Sequence, residues 1–421
     1  MKKSFILAMA AAAMLTACSS NDELNKGGEA NLSQQKIQLG VSNSASVQTR
    51  GTGTVGDLDG EQNVWAGQEL FVYMLNKGEM SLGLYKNPDE METEAGTAVY
   101  DNTKFFAPTG TDQDEAKTQD GSIAYYPVSG NYDFWGYHVD DAAQGEPYMV
   151  DAEGNRTDNA EEAAKRVIDV EIDGSQDIMT GKAVPTQADI EALGGKKENF
   201  FSAYASRKGV QPNITFNHNL ARFTFEVRAG SKGTCGDNVT EAVRVKGISV
   251  KSKVDGQLTV AYKGETPESV LEFPGQFDDV AQSLKLMQRS ADGELDHNKV
   301  LEPLQEVPLT WNEDEDQANV IKVGEALLVA PGETSYPFTV DLLQKIQKNV
   351  NGIDTDELAL QQNTVITMKN GKTFEAGKSY KVTITVYGLE RIVVTATLVP
   401  WQDGGSIDID DDREDGSSYT E

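Results

Sequence analysis

Short apolar runs in which every second residue is polar recur along most of the chain, and this pattern restricts the fold more than any other feature. Between Ile168 and Asp173, apolar residues alternate with acidic ones. Adjacent side chains of a strand point to opposite faces of a sheet, so a spacing of two predicts half-buried strands. The runs are short and separated by Gly, Asn, Asp and Pro, which is typical of β-sandwiches. Further runs are Ile37–Val41, Leu70–Leu75, Tyr132–Val139, Ile214–Phe216, Phe223–Val227, Val243–Val250, Leu258–Val260, Ala326–Val329, Phe338–Val340, Val365–Met368, Tyr380–Val386 and Ile392–Val399.

Helical patterns are few, and we expect short helices only at Glu161–Arg166, Thr186–Leu193 and Leu342–Val350. A parallel α/β sheet needs a helix between its successive strands, so this class is excluded and the fold class is all-β. The dipeptide Asn370-Gly371 lies between two strand runs. It predicts a hairpin turn, because both residues accept a positive φ.

The first 18 residues have the pattern of a lipoprotein signal peptide. Lys2 and Lys3 precede an apolar stretch, Phe5–Leu15, that is too short to span a bilayer as a mature helix. Small residues then lead to Cys18, whose thiol can carry a thioether-linked lipid after cleavage. We predict a signal peptide at residues 1–17, lipidation at Cys18 and a polar tether at residues 18–35. The alternative is an ordinary signal peptide that happens to contain a cysteine.

The charge balance is strongly acidic, with 37 Lys plus Arg against 67 Asp plus Glu and a formal net charge of −30. Such a field repels nucleic acid and anionic membrane surfaces, so neither is expected to bind the folded body. Cys235 is the second of two cysteines and has no disulfide partner once Cys18 is lipidated. The acidic pair Asp22-Glu23 resembles a surface-export signal of lipoproteins and favours the outer face of the outer membrane; a solvated linker is the alternative.

A polar stretch, Lys196–Gly209, separates two strand-rich halves. We therefore predict a domain boundary near Val210. The N-terminal β-sandwich domain covers residues 36–209, the C-terminal β-sandwich domain covers residues 210–403, and an acidic tail covers residues 404–421.

Four segments resemble those of one family, the fimbrillins, which are lipoprotein pilins of Bacteroidales that build type V pili. Ile214–Phe223 is similar to their F-x-H-x-L-A-x-[LF] segment, and Asp177–Thr180 to their D-[IL]-[ML] turn. Phe374–Tyr380 is similar to the segment that leads into the penultimate strand, and Leu398–Trp401 to the terminal strand. The resemblance implies two tandem transthyretin-like Greek-key β-sandwich domains and a structural pilus subunit. Stalk, tip and anchor subunits share this fold and are not separated by these motifs.

Arg50 lies in Val47–Thr54, a stretch of small residues with little to pack, which predicts an exposed loop that a protease can bind. In fimbrillins an arginine-directed protease cuts the loop after the first strand. The resemblance implies processing between Arg50 and Gly51, so that residues 36–50, including the strand Ile37–Val41, are removed. The alternative is that Arg50 is a solvated linker charge and the strand stays in place.

Removing a strand leaves an unpaired ladder and emptied apolar pockets, which a donor strand with alternating apolar residues fills by β-augmentation. The charged run Asp408–Asp415 is less suited to an apolar groove. The candidate donor faces are Ile392, Val394, Ala396 and Leu398, and the shorter pair Ile407 and Ile409.

No motif typical of an enzyme or a metal site is found in the sequence. His138, His218 and His297 are too scattered for zinc spacing, and there is no C-x-x-C, no Gly-rich phosphate loop and no G-x-S-x-G elbow. The tail begins like a calcium loop at Asp408, but Arg413 stands where the loop needs its glycine. We predict no catalytic, metal or cofactor residue, and a structural role for His218.

These features predict a non-enzymatic structural pilus subunit, a surface lipoprotein of the outer membrane and fimbrium. Its partners would be other pilin subunits, outer-membrane lipid through acylated Cys18, and a host or bacterial surface ligand for adhesion. The alternative is a monomeric surface lipoprotein that binds carbohydrate or a host ligand. The tryptophans lie on or beside apolar strands, which favours a role in the core over sugar stacking. They are Trp65, Trp135, Trp311 and Trp401.

Overall fold

The structure is a computed structural model that describes most of the residues between 35 and 399. The described residues are 35–43, 67–86, 96–107, 117–118, 121–195, 200–235, 242–264, 266–267, 269–289, 301–347, 355–368, 371–389 and 391–399.

The strands of the first half are short, apart from a few that run through the centre of a sheet. In chain order they are β1 (Gly40–Asn43), β2 (Glu69–Asn76), β3 (Leu84–Tyr85), β4 (Thr97–Ala98), β5 (Thr103–Phe106), β6 (Lys117–Thr118), β7 (Tyr132–His138), β8 (Tyr148–Val150), β9 (Arg156–Thr157), β10 (Lys165–Glu171), β11 (Met179–Ala183) and β12 (Asn213–His218). The helices α1 (Gln187–Ala192) and α2 (Ala203–Arg207) lie between β11 and β12.

The strands of the second half include the longest ones. They are β13 (Ala221–Ala229), β14 (Arg244–Ser252), β15 (Asp255–Tyr262), β16 (Leu271–Glu272), β17 (Gln282–Lys285), β18 (Met287–Arg289), β19 (Leu301–Pro303), β20 (Val307–Pro308), β21 (Trp311–Asn312), β22 (Gln317–Ala318), β23 (Ile321–Val329), β24 (Ser335–Gln347), β25 (Thr355–Thr367), β26 (Ser379–Val386) and β27 (Ile392–Val399). A 3-10 helix spans Lys232–Cys235, and α3 spans Phe277–Val280.

These strands build four larger sheets within the described residues. One is seven-stranded with the order β1-β12-β11-β7-β2-β5-β6, and one is five-stranded with the order β16-β15-β10-β8-β9. The others are β23-β13-β26-β27 and β17-β14-β24-β25, with β20 beside β14. Short pairs β3-β4, β18-β19 and β21-β22 complete the set. The predicted all-β, sandwich-type fold class is confirmed.

Strand pairing crosses the predicted boundary near Val210. β12 follows that residue and pairs with β1 and β11, and β15 pairs antiparallel with β10. The two sides of Val210 are therefore joined by hydrogen-bonded ladders. The division into two tandem domains stays a prediction.

The buried apolar side chains form two clusters. The larger one holds the inward faces of β13, β23, β24 and β26 and extends to β10, and the smaller one packs on the seven-stranded sheet. In the smaller cluster, glycines make room for large neighbours. A Cβ at Gly136 would lie 2.7 Å from the ring of Phe216, and a Cβ at Gly181 would lie 2.7 Å from Cγ2 of Ile214. The alternating motif Ile214–Phe216 thus packs directly on the backbones of β11 and β7.

One of the three predicted helices is confirmed and two are wrong. Thr186 caps α1 through a capping box with Asp189, which is the local signal that the sequence offers. Residues 160–162 instead form a turn, and Lys165 and Arg166 are the first residues of β10. Leu342 lies inside β24, because that strand pairs with β25 without interruption from Ser335 to Gln347.

The hairpin predicted at Asn370-Gly371 is also wrong. Gly371 does have a positive φ of 67°, and Asn370 lies outside the described residues. The strands on either side are in different sheets, since β25 pairs with β24 while β26 pairs with β13 and β27. The segment between them is therefore a crossover. None of the described helices combines the length and the apolar character needed to cross a bilayer.

Candidate functional site

Residues 35–43, called here the leading segment, lie at the edge of the seven-stranded sheet, where β1 pairs with β12. The alternation predicted for Ile37–Val41 is confirmed. Ile37, Leu39 and Val41 are 3%, 1% and 4% exposed and belong to the smaller core cluster, whereas Gln38 is exposed. The segment is thus an integral part of the core, although it contributes only one short strand.

The first part of the leading segment pairs antiparallel with residues 124–126. Lys36 forms a bridge with Tyr125, the Ile37 N–H donates to Ala124 O over 3.0 Å, and the Tyr126 N–H donates to Gln35 O over 2.9 Å. The chain at 124–126 therefore closes one edge of the segment.

The second part pairs parallel with the opposite neighbour. The Gly40 N–H donates to Pro212 O over 2.9 Å, and the register then runs from Gly40↔Asn213 to Asn43↔Phe216. Because the N–H groups of alternate residues point to opposite edges of a strand, the segment is held on both sides. Its removal would leave unpaired backbone groups on both neighbours and empty three apolar sites.

Between these two parts, a side chain replaces the strand ladder. The Gln38 N–H donates to Oε1 of Gln211 over 3.2 Å, and Nε2 of Gln211 donates to Lys36 O over 3.3 Å. The same Nε2 donates to Oγ of Ser206 over 3.0 Å, and that hydroxyl donates to Lys36 O over 3.3 Å. These contacts complete what we call the seat of the leading segment: residues 124–126, Ser206, Gln211, Pro212 and β12.

The candidate donor strand β27 lies at an edge of its sheet, paired with β26 along its whole length. Ala396 and Leu398 are buried in the larger cluster, and Ile392 and Val394 are half-buried against it. The apolar face predicted for Ile392–Val399 is therefore present, and this stretch carries no charged residue. Ile407 and Ile409 lie outside the described residues.

Two of the sequence motifs meet in a buried ionic contact. Nδ1 of His218 lies 2.8 Å from Oδ2 of Asp177, and both side chains are buried. The Asp177 N–H donates to Oδ2 of Asp140 over 2.8 Å. Oδ1 of Asp140 lies 3.0 Å from Nε2 of His138, whose Nδ1 donates to Glu69 O over 2.7 Å. These contacts join the end of β7 and the loop after it, the start of β2, the loop before β11 and the end of β12.

The protonation of this cluster follows from its partners. Burial by itself lowers the pKa of His138, but the Asp140 carboxylate and the Glu69 carbonyl outweigh it and raise the pKa to about 9. Burial by itself raises the pKa of Asp177, but the contact with the His218 side chain outweighs it and holds the pKa below its usual range. The partners of His138 and Asp177 thus favour the charged form of both groups, in spite of their burial. No group of three or more potential metal ligands occurs within the described parts of the chain.

The structure brings the predicted leading strand and its seat together, but several predicted residues lie outside the described residues. These are Cys18, Arg50, Gly51, Trp65 and Trp401. Trp135 is 3% exposed, and Trp311 is half-buried against the larger cluster. The sequence reasoning missed Gln211 and Asp140. Gln211 lies outside any run in which apolar and polar residues alternate. Asp140 follows a strand, in a position typical of an ordinary turn.

The comparison with protein families gives a match over most of the chain. A model of the fimbrillin-like family matches residues 62–401. No curated protein sequence matches.

Solved structures of low sequence identity are also found. A proposed cell adhesion protein from Bacteroides uniformis is 15% identical, with 87% of this chain and 98% of that chain covered and a TM-score of 0.41. The fimbrial anchor protein Mfa2 from Porphyromonas gingivalis is 10% identical, with 89% and 99% covered and a TM-score of 0.32. At TM-scores this low these likenesses carry no weight for function. On the match of the family model over residues 62–401, the chain belongs to the fimbrillin-like family.

Proposed function

We propose that the protein is a structural pilus subunit whose leading segment is removed by cleavage after Arg50 and replaced by a strand of a neighbouring subunit. Membership of the fimbrillin-like family makes it a pilus-type or adhesion protein of the cell surface. The proposal adds lipidation at Cys18 in the outer membrane, the cut, the strand exchange and a non-enzymatic role.

One observation carries the proposal: the leading segment is a short stretch of chain that completes the smaller core cluster. It contributes three buried apolar side chains and bonds on both edges to chain far away in sequence, at residues 124–126 and 211–216. An empty seat would expose ladder groups and apolar surface together, which strongly favours the uptake of another extended strand.

The donor is expected to come from the C-terminal region of a second copy. β27 has alternating apolar residues, lies at a sheet edge and carries no charge between Ile392 and Val399. The described tryptophans do not favour the monomeric carbohydrate binder, since Trp135 is buried and Trp311 packs against the core.

The test is a cut with an arginine-specific protease, with the Arg50→Lys variant as the matched control. We expect the native protein to yield a species that begins at Gly51 and then to form ladders that resist mild heating in detergent, with fibres visible by electron microscopy. The Arg50→Lys variant should keep its leading segment and remain monomeric. A native protein that is cut at Arg50, loses the segment and stays monomeric would contradict the strand exchange.

A further inference from the structure

We infer that the side-chain amide of Gln211 binds the backbone of whichever extended strand occupies the seat. The first occupant is the chain's own leading segment, and the second is a strand from a second copy. The second half of this statement rests on the proposed function. The first half concerns the uncut chain alone.

The amide of Gln211 forms two hydrogen bonds that a backbone N–H and C=O would form in a regular sheet. In a parallel ladder, a residue of one strand bonds to the two residues that flank its partner on the other strand. Its N–H donates to the carbonyl of the residue before the partner, and its carbonyl accepts from the N–H of the residue after the partner. Around Ile37 these two groups are Lys36 O and the Gln38 N–H, and Nε2 and Oε1 of Gln211 bind them at 3.3 Å and 3.2 Å.

The backbone of β12 does not supply these bonds. Pro212 has no N–H, so it accepts from Gly40 but donates nothing. The next residue that could continue the ladder is Val210, whose N–H is already bonded to Ala205 O at the end of α2. A side chain with one donor and one acceptor in an amide plane is therefore needed, and glutamine provides both.

Ser206 positions this amide. Its hydroxyl oxygen accepts from Nε2 of Gln211 and its O–H donates to Lys36 O, so the carbonyl of Lys36 receives two hydrogen bonds. Ser206 lies in α2, whose N-terminus is capped by the Ser202 side chain, and this fixes the hydroxyl beside the strand.

The contacts define the class of partner. They reach main-chain atoms only, and the side chain of Gln38 is exposed, so they do not distinguish side chains at that position. The occupant must be an extended peptide that is apolar at the positions of Ile37, Leu39 and Val41. At the position of Gln38 it must offer an N–H, which excludes proline there.

The uncut chain gives the first test, by hydrogen exchange of individual backbone amides. In the Gln211→Met variant, which keeps the length of the side chain but loses both polar atoms, we expect the Gln38 N–H to exchange about tenfold faster. The Gly40 N–H, bonded to Pro212 O, should change much less. Gln187→Met, at an exposed glutamine of α1, is the matched control and should change neither. An unchanged Gln38 N–H in Gln211→Met would overturn the inference.

The second test uses a synthetic peptide that copies residues 35–43, added to full-length protein that has been cut after Arg50. Methylation of the peptide nitrogen at Gln38 should weaken binding to the native protein about tenfold and have much less effect on Gln211→Met. Methylation at Ile37, whose N–H bonds Ala124 O, should weaken binding to both proteins equally.

The outcomes separate the inference from the proposed function. If the peptide binds and methylation at Gln38 costs the same in both proteins, the role of Gln211 is wrong and strand exchange stands. If the cut protein takes up no peptide while the hydrogen-exchange test succeeds, the proposed function fails. The claim that Gln211 holds a strand from a second copy then fails as well.

Discussion

Nδ1 of His218 lies 2.8 Å from Oδ2 of Asp177, and this contact ties the end of β12 to the loop before β11. Replacing His218 by alanine leaves the buried Asp177 carboxylate without this partner, so we expect a loss of about 3–5 kcal/mol in the free energy of unfolding. Urea unfolding followed by circular dichroism measures it. The double variant His218→Ala with Asp177→Ala should cost less than the sum of the single changes; a simple sum would contradict the pairing.

The His138 site makes stability depend on pH. The folded pKa of about 9 lies above the ordinary value of 6.5, so the stabilisation is complete below pH 6.5 and is lost as the pH rises through 9. We expect the free energy of unfolding to fall by on the order of 3 kcal/mol over this window. In the His138→Gln variant this slope should be largely absent, and an equal slope in both proteins would refute the assignment.

At the acid end, Asp177 acts in the opposite direction. Its pKa is held below the usual range, so its contribution is present above the unfolded pKa and is lost as the pH falls through the folded one. Stability should therefore be greatest between about pH 4 and pH 6.5. Denaturant midpoints measured from pH 3 to pH 10 would show whether the maximum lies there.

Gly181 has no room for a side chain. A Cβ would come within 3.0 Å of the backbone carbonyl oxygen of Thr215 and of Cγ2 of Ile214, so the neighbouring strand would have to shift. We expect Gly181→Ala to lower the free energy of unfolding by roughly 1–3 kcal/mol. Gly233 is a matched control, because a Cβ there meets only Oγ of Ser231 at 4.0 Å. Equal thermal midpoints for the two variants would argue against this packing.

Leu39 and Gln38 offer a paired test of the leading segment. Leu39 is 1% exposed, so Leu39→Ala should cost about 2–4 kcal/mol, whereas Gln38→Ala at the exposed neighbour should stay within about 0.5 kcal/mol. After a cut at Arg50, Leu39→Ala should also release its segment faster, as measured by size-exclusion chromatography. Similar release from both variants would mean that the apolar seat does not retain the segment.

Much of the fold could be predicted from alternation, because inward and outward positions are set by each strand's own pattern. The predicted run Ile168–Asp173 overlaps β10. In Ile37–Val41 the apolar residues of the alternating pattern are the buried ones. The helix predicted at Leu342–Val350 is wrong, although Leu342, Leu343 and Ile346 have helical spacing. Pairing with β25 from Ser335 to Gln347 overrides that local preference.

The seat and the His218–Asp177 contact could not be predicted from the sequence, because their parts are distant in the chain. His218 and Asp177 each lie in a recognised motif, but neither motif shows that the other is its partner. Gln211 gave no signal, since its amide matters only where Pro212 and the end of α2 interrupt the ladder.

The leading segment runs parallel to β12 and antiparallel to residues 124–126, so its hydrogen bonds admit one chain direction. If a strand from a neighbouring subunit forms the same hydrogen bonds, successive subunits must have the same orientation along the assembly. Where the rotation between successive subunits does not close into a ring, such head-to-tail contacts build a fibre with two unlike ends, one with a vacant seat and one with an unused strand.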